Sequence, residues 1–129
     1  MIVLLLAAIV GGAPVGASAD ATDLIEAQFK PLARAERSFA PLGPAGPFYP
    51  QAAAMGRQSG EASLECLTGK DGALTRCKIL SEAPRGFSFG AAAKVMADRK
   101  RIFVQAAPPG QTVRVRVPFA ICAPAQMEP

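Results

Sequence analysis

Three cysteines and a thin scatter of carboxylates are the residues of this 129-residue chain whose types could carry chemistry. Cys66 and Cys77 flank the dipeptide Asp71-Gly72 at equal distance, and Cys122 stands alone near the C-terminus. A thiol does redox, nucleophilic or zinc chemistry in company: a second thiol in Cys-x-x-Cys spacing, a basic neighbour, or a full ligand set. There is no Cys-x-x-Cys motif here, and three cysteines without a His make no zinc set. The chain has no His, which removes the commonest general base, the commonest zinc ligand and every imidazole-dependent triad. Glu61, Glu65, Asp71, Glu82 and Asp98 fall on expected strand faces, turns and helix ends, with no acid/base pair among them. The residue types therefore predict no catalytic residue, no metal and no cofactor, and the protein reads as a non-enzyme.

The cysteines are set by a hairpin. In EASLECLT, Ala62, Leu64, Cys66 and Thr68 share one face, with Leu67 the one apolar residue on the other. Asp71-Gly72 supplies the left-handed positions of a tight turn. On the return strand, Leu74, Cys77 and Ile79 are the inward candidates, and their change of parity asks for a bulge near Thr75-Arg76. A two-residue turn places position 66 opposite 77. A three-residue bulged turn slips the pairing by one, and the bulge near Arg76 must then restore it. Either way the two thiols approach, which predicts a Cys66–Cys77 disulfide in an oxidising compartment. The alternative is two inward free thiols acting as small apolar groups. Cys122 is the odd one out: a free thiol, an intermolecular link or a buried side chain.

Around the hairpin, Pro50 suits the start of a short helix over PQAAAMGRQ. FSFGAAAKVMADRKRIF reads as one long helix with Phe89, Ala92, Ala93, Met96 and Phe103 toward the core. TVRVRVPFAI is the cleanest strand: Val113, Val115, Val117, Phe119 and Ile121 inward, Thr112, Arg114 and Arg116 outward. Pro118 has no N–H to donate and, with the two arginines, places this strand at a sheet edge. The order short helix, strand, strand, helix, strand predicts an α+β two-layer sandwich, a three-stranded antiparallel sheet with one long helix.

The N-terminal third differs in kind. Residues 2–10, IVLLLAAIV, are an apolar run about half the ~20 residues of a membrane span. Helix breakers and Ala17-Ser18-Ala19 follow, the pattern of a secretory signal over residues 1–19. The mature chain is then exported, with no membrane span. Residues 20–48 read as a tether with short helical stretches, in which Asp23 and Glu26 have capping-box spacing and PLGPAGP forms a semi-stiff spacer. A domain follows at 49–122, entered at Tyr49-Pro50, and a tail at 123–129. Half the residues are hydrophobic but only 6% aromatic, so the core must be small. A net charge of +4 without interleaved aromatics is no nucleic-acid footprint.

Tyr49-Pro50, Ala52 or Ala53, Gly60, the alternating strand, Asp71-Gly72, the run Lys78-Ile79-Leu80-Ser81, the Ala-rich helix closing on Phe103, Gly110 and VRVRVPF occur in an order that resembles the TonB C-terminal domain, over roughly residues 47–122. The resemblance implies a periplasmic protein-interaction module. Its partner is a protein or peptide, such as the TonB box of an outer-membrane receptor. That peptide adds as a strand along Val113, Arg114, Val115, Arg116 and Val117 by β-augmentation, in the service of transport across the outer membrane. The short tether supports a second reading, a secreted envelope protein that uses the same fold for a structural or other protein-binding role without energy transduction.

Overall fold

The computed structural model describes residues 24–105 and 107–121. The expected signal segment, the tail and Cys122 lie outside the described residues. Along the chain run β1 (Leu24–Glu26), β2 (Gln28–Phe29), a 3₁₀-rich segment Arg34–Phe48, α1 (Gln51–Met55), β3 (Gly60–Thr68), β4 (Leu74–Ala83), α2 (Phe89–Asp98), β5 (Ile102–Phe103) and β6 (Thr112–Phe119).

The alternating residues of β3 explain its place. Ala62, Leu64, Cys66 and Thr68 are buried, and β3 is central, antiparallel to β4 on one side and β6 on the other. In β6, Val113, Val115, Val117 and Phe119 turn to the same covered face. α2 lies across that face, with Phe89, Ala93, Met96 and Ala97 fully buried. Tyr49 meets Phe89 and Phe119 edge-on, ring centroids 6.0 and 5.6 Å apart, the geometry aromatic quadrupoles prefer.

The hairpin turn has Asp71 and Gly72 at φ of 58° and 77°, closed by the Ala73 N–H donating to the Lys70 carbonyl at 3.1 Å. Positive φ at both central residues is the type I′ geometry that matches strand twist. Thr68 faces Leu74 and Leu67 faces Thr75; the register then shifts between Leu67 and Glu65, where Arg76 takes φ of 51°. The bulge sits where the parity of the sequence asks for it. A second shift, between Ser63 and Leu64, has no such signal. Ile79 faces the covered side as expected, opposite Leu64 and against Gly90 of α2, but stays 44% exposed because β4 is the outermost strand on its side of the sheet.

Three larger expectations need correction. The sheet is mixed rather than three-stranded: its order is β1-β6-β3-β4, and β1 pairs parallel to β6, with a separate two-stranded ladder of β2 and β5. Asp23 and Glu26 read as a capping box, but Ile25, Ala27 and Phe29 also alternate with Glu26, Gln28 and Lys30, and that two-residue period won. The long helix does not reach Phe103. Lys100 enters the left-handed region at φ of 60°, the Arg101 N–H donates to the Met96 carbonyl and the Lys100 N–H to that of Ala97. This is a Schellman stop, after which Ile102 is buried from a strand instead. Lastly, 34–48 is no free spacer: Gly43, Ala45 and Gly46 are buried. The Glu36 carboxylate accepts from the Ala33 N–H at 3.0 Å and from Arg101 at 2.7 Å, and Arg101 lies over the Phe48 ring.

Candidate functional site

Backbone direction along β6 is set by its two neighbours. The Ala27 N–H donates to the Arg116 carbonyl at 2.9 Å, so the peptide groups of Arg116 face away from β3. Alternation gives Arg114 and Pro118 the same outward direction and turns those of Val113, Val115 and Val117 toward β3. The five residues expected at an edge therefore divide: the valines hold the sheet and core together, and the arginines present the outer row of donors and acceptors.

That row is not bare, and β6 is not outermost. Leu24, Ile25 and Glu26 lie opposite Arg114, Val115 and Arg116 in parallel register. Pro118 explains where this pairing stops. The next bond in a parallel ladder would run from the N–H of residue 118 to the Ala27 carbonyl, and proline has none. Pro118 is expected to mark a sheet edge; the row it stands in is instead taken up by the chain's own N-terminal segment, and β6 is an inner strand of the sheet.

The arginine side chains stand on the open sheet face in a net of carboxylates. Arg116 reaches Glu61 at 2.7 Å and Glu26 at 3.1 Å, and Arg114 reaches Glu65 at 3.4 Å. Glu65 also meets Lys78 at 3.4 Å. Each pair is solvent-exposed in part and worth little alone, of order 0.2–1 kcal/mol. Their effect is to fix which way the guanidinium groups point. Glu61 and Glu65 serve as these partners.

Tyr49 and Pro50, expected where the chain enters the domain, join the core to α1. Tyr49 is buried; its hydroxyl donates to the Gln58 carbonyl at 2.6 Å, and burial pushes its pKa up from the usual tyrosine value. Pro50 caps α1. Cys66 and Cys77 are joined as a disulfide across the hairpin, both buried. Among the described residues there is no cluster of three His, Cys, Asp or Glu side chains, and no helix is long and apolar enough to cross a membrane. A cavity of about 380 Å³ at the turn end of the sheet is lined by Lys30, Lys70, Lys100, Asp71 and Phe103 among others.

Two residues of the outer row went unforeseen. Glu26 and Ile25 belong to it only because a segment ninety positions away in sequence folds back beside Arg116. The signal that marks them is the brief alternation Ile25-Glu26-Ala27-Gln28-Phe29, too short to stand out against the capping pattern.

The family model described as the Gram-negative bacterial TonB protein C-terminal matches residues 45–121, more than half of the chain and all of α1 through β6. No curated protein matches the chain.

Proposed function

Because the chain belongs to the family of Gram-negative bacterial TonB protein C-terminal domains, we propose that it is a non-enzymatic periplasmic interaction module, exported by a signal at residues 1–19, that takes an extended peptide of an outer-membrane receptor as an added strand along β6. The TonB box of such a receptor is the peptide, and transport across the outer membrane is the process served. One observation carries this reading. The outward peptide groups of β6 accept a strand, because the Ala27 N–H already bonds the Arg116 carbonyl there. Main-chain bonds of this kind give affinity in β-augmentation, and flanking side chains give selectivity.

The test is calorimetric titration of the mature protein with synthetic TonB-box peptides. Arg116→Pro removes an outward N–H while leaving the β3 ladder intact, as Pro118 already does in the wild-type strand. Binding that Arg116→Pro abolishes and Arg116→Lys retains is the expected result. No binding at high micromolar peptide, or equal binding by Arg116→Pro, refutes the reading.

The docking of 34–48 on the domain favours a second reading, an envelope protein with a structural or other protein-binding role and no energy transduction. A segment held by the Glu36–Arg101 pair and buried at Ala45 adds no reach between membranes. Failure of the titration with receptor peptides, together with capture of another envelope protein through β6, supports it.

A further inference from the structure

We propose that the segment from Leu24 to Glu26 is a built-in competitor for the β6 edge, and that the partner it holds off is an extended acidic peptide running parallel to β6 with an apolar side chain opposite Val115 and a carboxylate opposite Arg116. The inference rests on reading β6 as the peptide-binding edge and adds its regulation and the chemistry of its ligand.

Mutual exclusion is a consequence of the register. Each outward N–H and C=O of β6 serves one neighbouring strand, and Leu24–Glu26 occupies the row at Arg114–Arg116. A peptide added along β6 must use the same groups, so one of the two is absent whenever the other is paired.

The segment is also divided where it would have to peel. Leu24 and Ile25 remain 40% and 43% exposed, whereas Ala27 is 4% exposed. Beyond Ala27 the chain is tied down independently, by β2 on β5 and by the Lys30 N–H donating to the Arg101 carbonyl at 2.9 Å. The ladder stops at Pro118, so no bond from β6 holds the Ala27 carbonyl. The outer three residues can therefore leave while β2 stays paired with β5.

The vacated row stays organised. Arg116 keeps its 2.7 Å contact with Glu61 when Glu26 departs, so its guanidinium remains on the strand face, ready for another carboxylate. Ile25 shows what the covered side accepts: it lies opposite fully buried Val115, beside a cavity of about 340 Å³ that it lines with Glu65, Thr112, Val113 and Arg114. The segment is thus a sample of the ligand it excludes, apolar then acidic in parallel register.

The probe is a labelled synthetic peptide of residues 23–29, Asp-Leu-Ile-Glu-Ala-Gln-Phe, with a TonB-box peptide measured alongside. The proteins are the mature chain and its Ile25→Pro and Glu26→Arg variants, with folding checked by retention of the disulfide and of α2 amide protection. Ile25→Pro is expected to bind the 23–29 peptide about tenfold more tightly than the unsubstituted chain, and Glu26→Arg about threefold, because the competent state is no longer taxed by the paired one. The same peptide with its Glu replaced by Arg is expected to lose that gain. Without peptide, the Arg116 amide should exchange faster in Ile25→Pro, and added peptide should restore its protection. Equal affinities for all three proteins with unchanged Arg116 exchange overturn the competitor. If Ile25→Pro opens and takes the 23–29 peptide while no form binds TonB-box peptide, the competitor stands and the receptor reading falls.

Discussion

The Glu26 carboxylate lies 3.1 Å from the Arg116 guanidinium, across ninety positions of sequence. The contact joins the outermost strand to the strand that the sequence alone placed at the edge. Arg116 also reaches Glu61, so one guanidinium ties three strands of the sheet on its open face. The pair is half-exposed, and its share of the fold's stability is small, about 0.2–1 kcal/mol. Its consequence is positional: it sets what kind of segment fits beside Arg116.

Replacing Cys66 and Cys77 by serine should cost about 3 kcal/mol, from the regained entropy of a loop closed across 11 positions of the chain. For a core built largely of alanine and valine that is a large share of a typical stability of about 5–15 kcal/mol. Urea unfolding of the double variant, and of the wild type with and without reductant, measures it. Matching midpoints for reduced and oxidised wild type would refute a stabilising role.

Gly60 is fixed by close approach. A Cβ there would meet the Ala83 carbonyl oxygen at 2.6 Å and the Phe89 ring, and neither backbone nor buried ring yields easily. Gly60→Ala should destabilise by about 1–3 kcal/mol, the range for overpacking. Gly69→Ala is the control, since its nearest neighbour would be 3.8 Å away. A shared unfolding midpoint for the two variants would show that Phe89 repacks freely.

Glu82 caps α2 from outside the helix. Ser88, preceding it, makes no side-chain cap, while the Glu82 carboxylate accepts from the Gly90 N–H at 2.7 Å and the Gly86 N–H at 3.3 Å. A carboxylate at a helix N-terminus satisfies free N–H groups and meets the positive end of the dipole. Glu82→Ala should lose about 1 kcal/mol, the usual cost of a lost cap, and should speed exchange of the Gly90 amide. Unchanged exchange there would remove the capping role.

The hairpin, its bulge and the disulfide were legible because they are local. Alternation, a turn dipeptide and two equally spaced cysteines lie close together along the chain. The valine face of β6 was legible for the same reason, whereas Pro118 pointed to a sheet edge that β1 in fact occupies. What stayed hidden is non-local. Parallel pairing of Leu24–Glu26 with Arg114–Arg116 leaves no turn signal between its partners. Docking of 34–48 depends on Arg101 meeting Glu36, a contact across 65 positions. The helix stop at Asp98 rests on Lys100 in the left-handed region, a conformation that lysine does not advertise.

Tyr49 is the chain's one tyrosine, so the near-ultraviolet absorbance of the phenolate reports it alone. Burial raises its pKa above the unfolded value of 10.0. The unfolded chain then gives up the phenol proton first. Stability from this group is complete below pH 10.0 and is lost as pH rises through the higher folded value. The titration midpoint in the native protein should lie above that in urea. Coincident midpoints would place the ring in water rather than against Phe89 and Phe119.

Arg101 decides whether 34–48 acts as a spacer or as part of the domain. Its guanidinium meets Glu36 at 2.7 Å with both side chains mostly buried, and it lies 5.6 Å from the Phe48 ring centroid. A charge-assisted hydrogen bond of this kind is worth about 1.5–3 kcal/mol. Arg101→Ala also leaves the Glu36 carboxylate with only the Ala33 N–H. The segment should then become sensitive to limited proteolysis within 34–48 while α2 and β3 keep their amide protection. Arg101→Lys restores charge but not the planar stacking on Phe48, and should recover only part of the resistance. If Arg101→Ala is cut no faster than wild type, burial of Gly43, Ala45 and Gly46 holds the segment without the ion pair. If wild type is itself cut at once, the docking does not persist in solution, and the segment is a spacer after all.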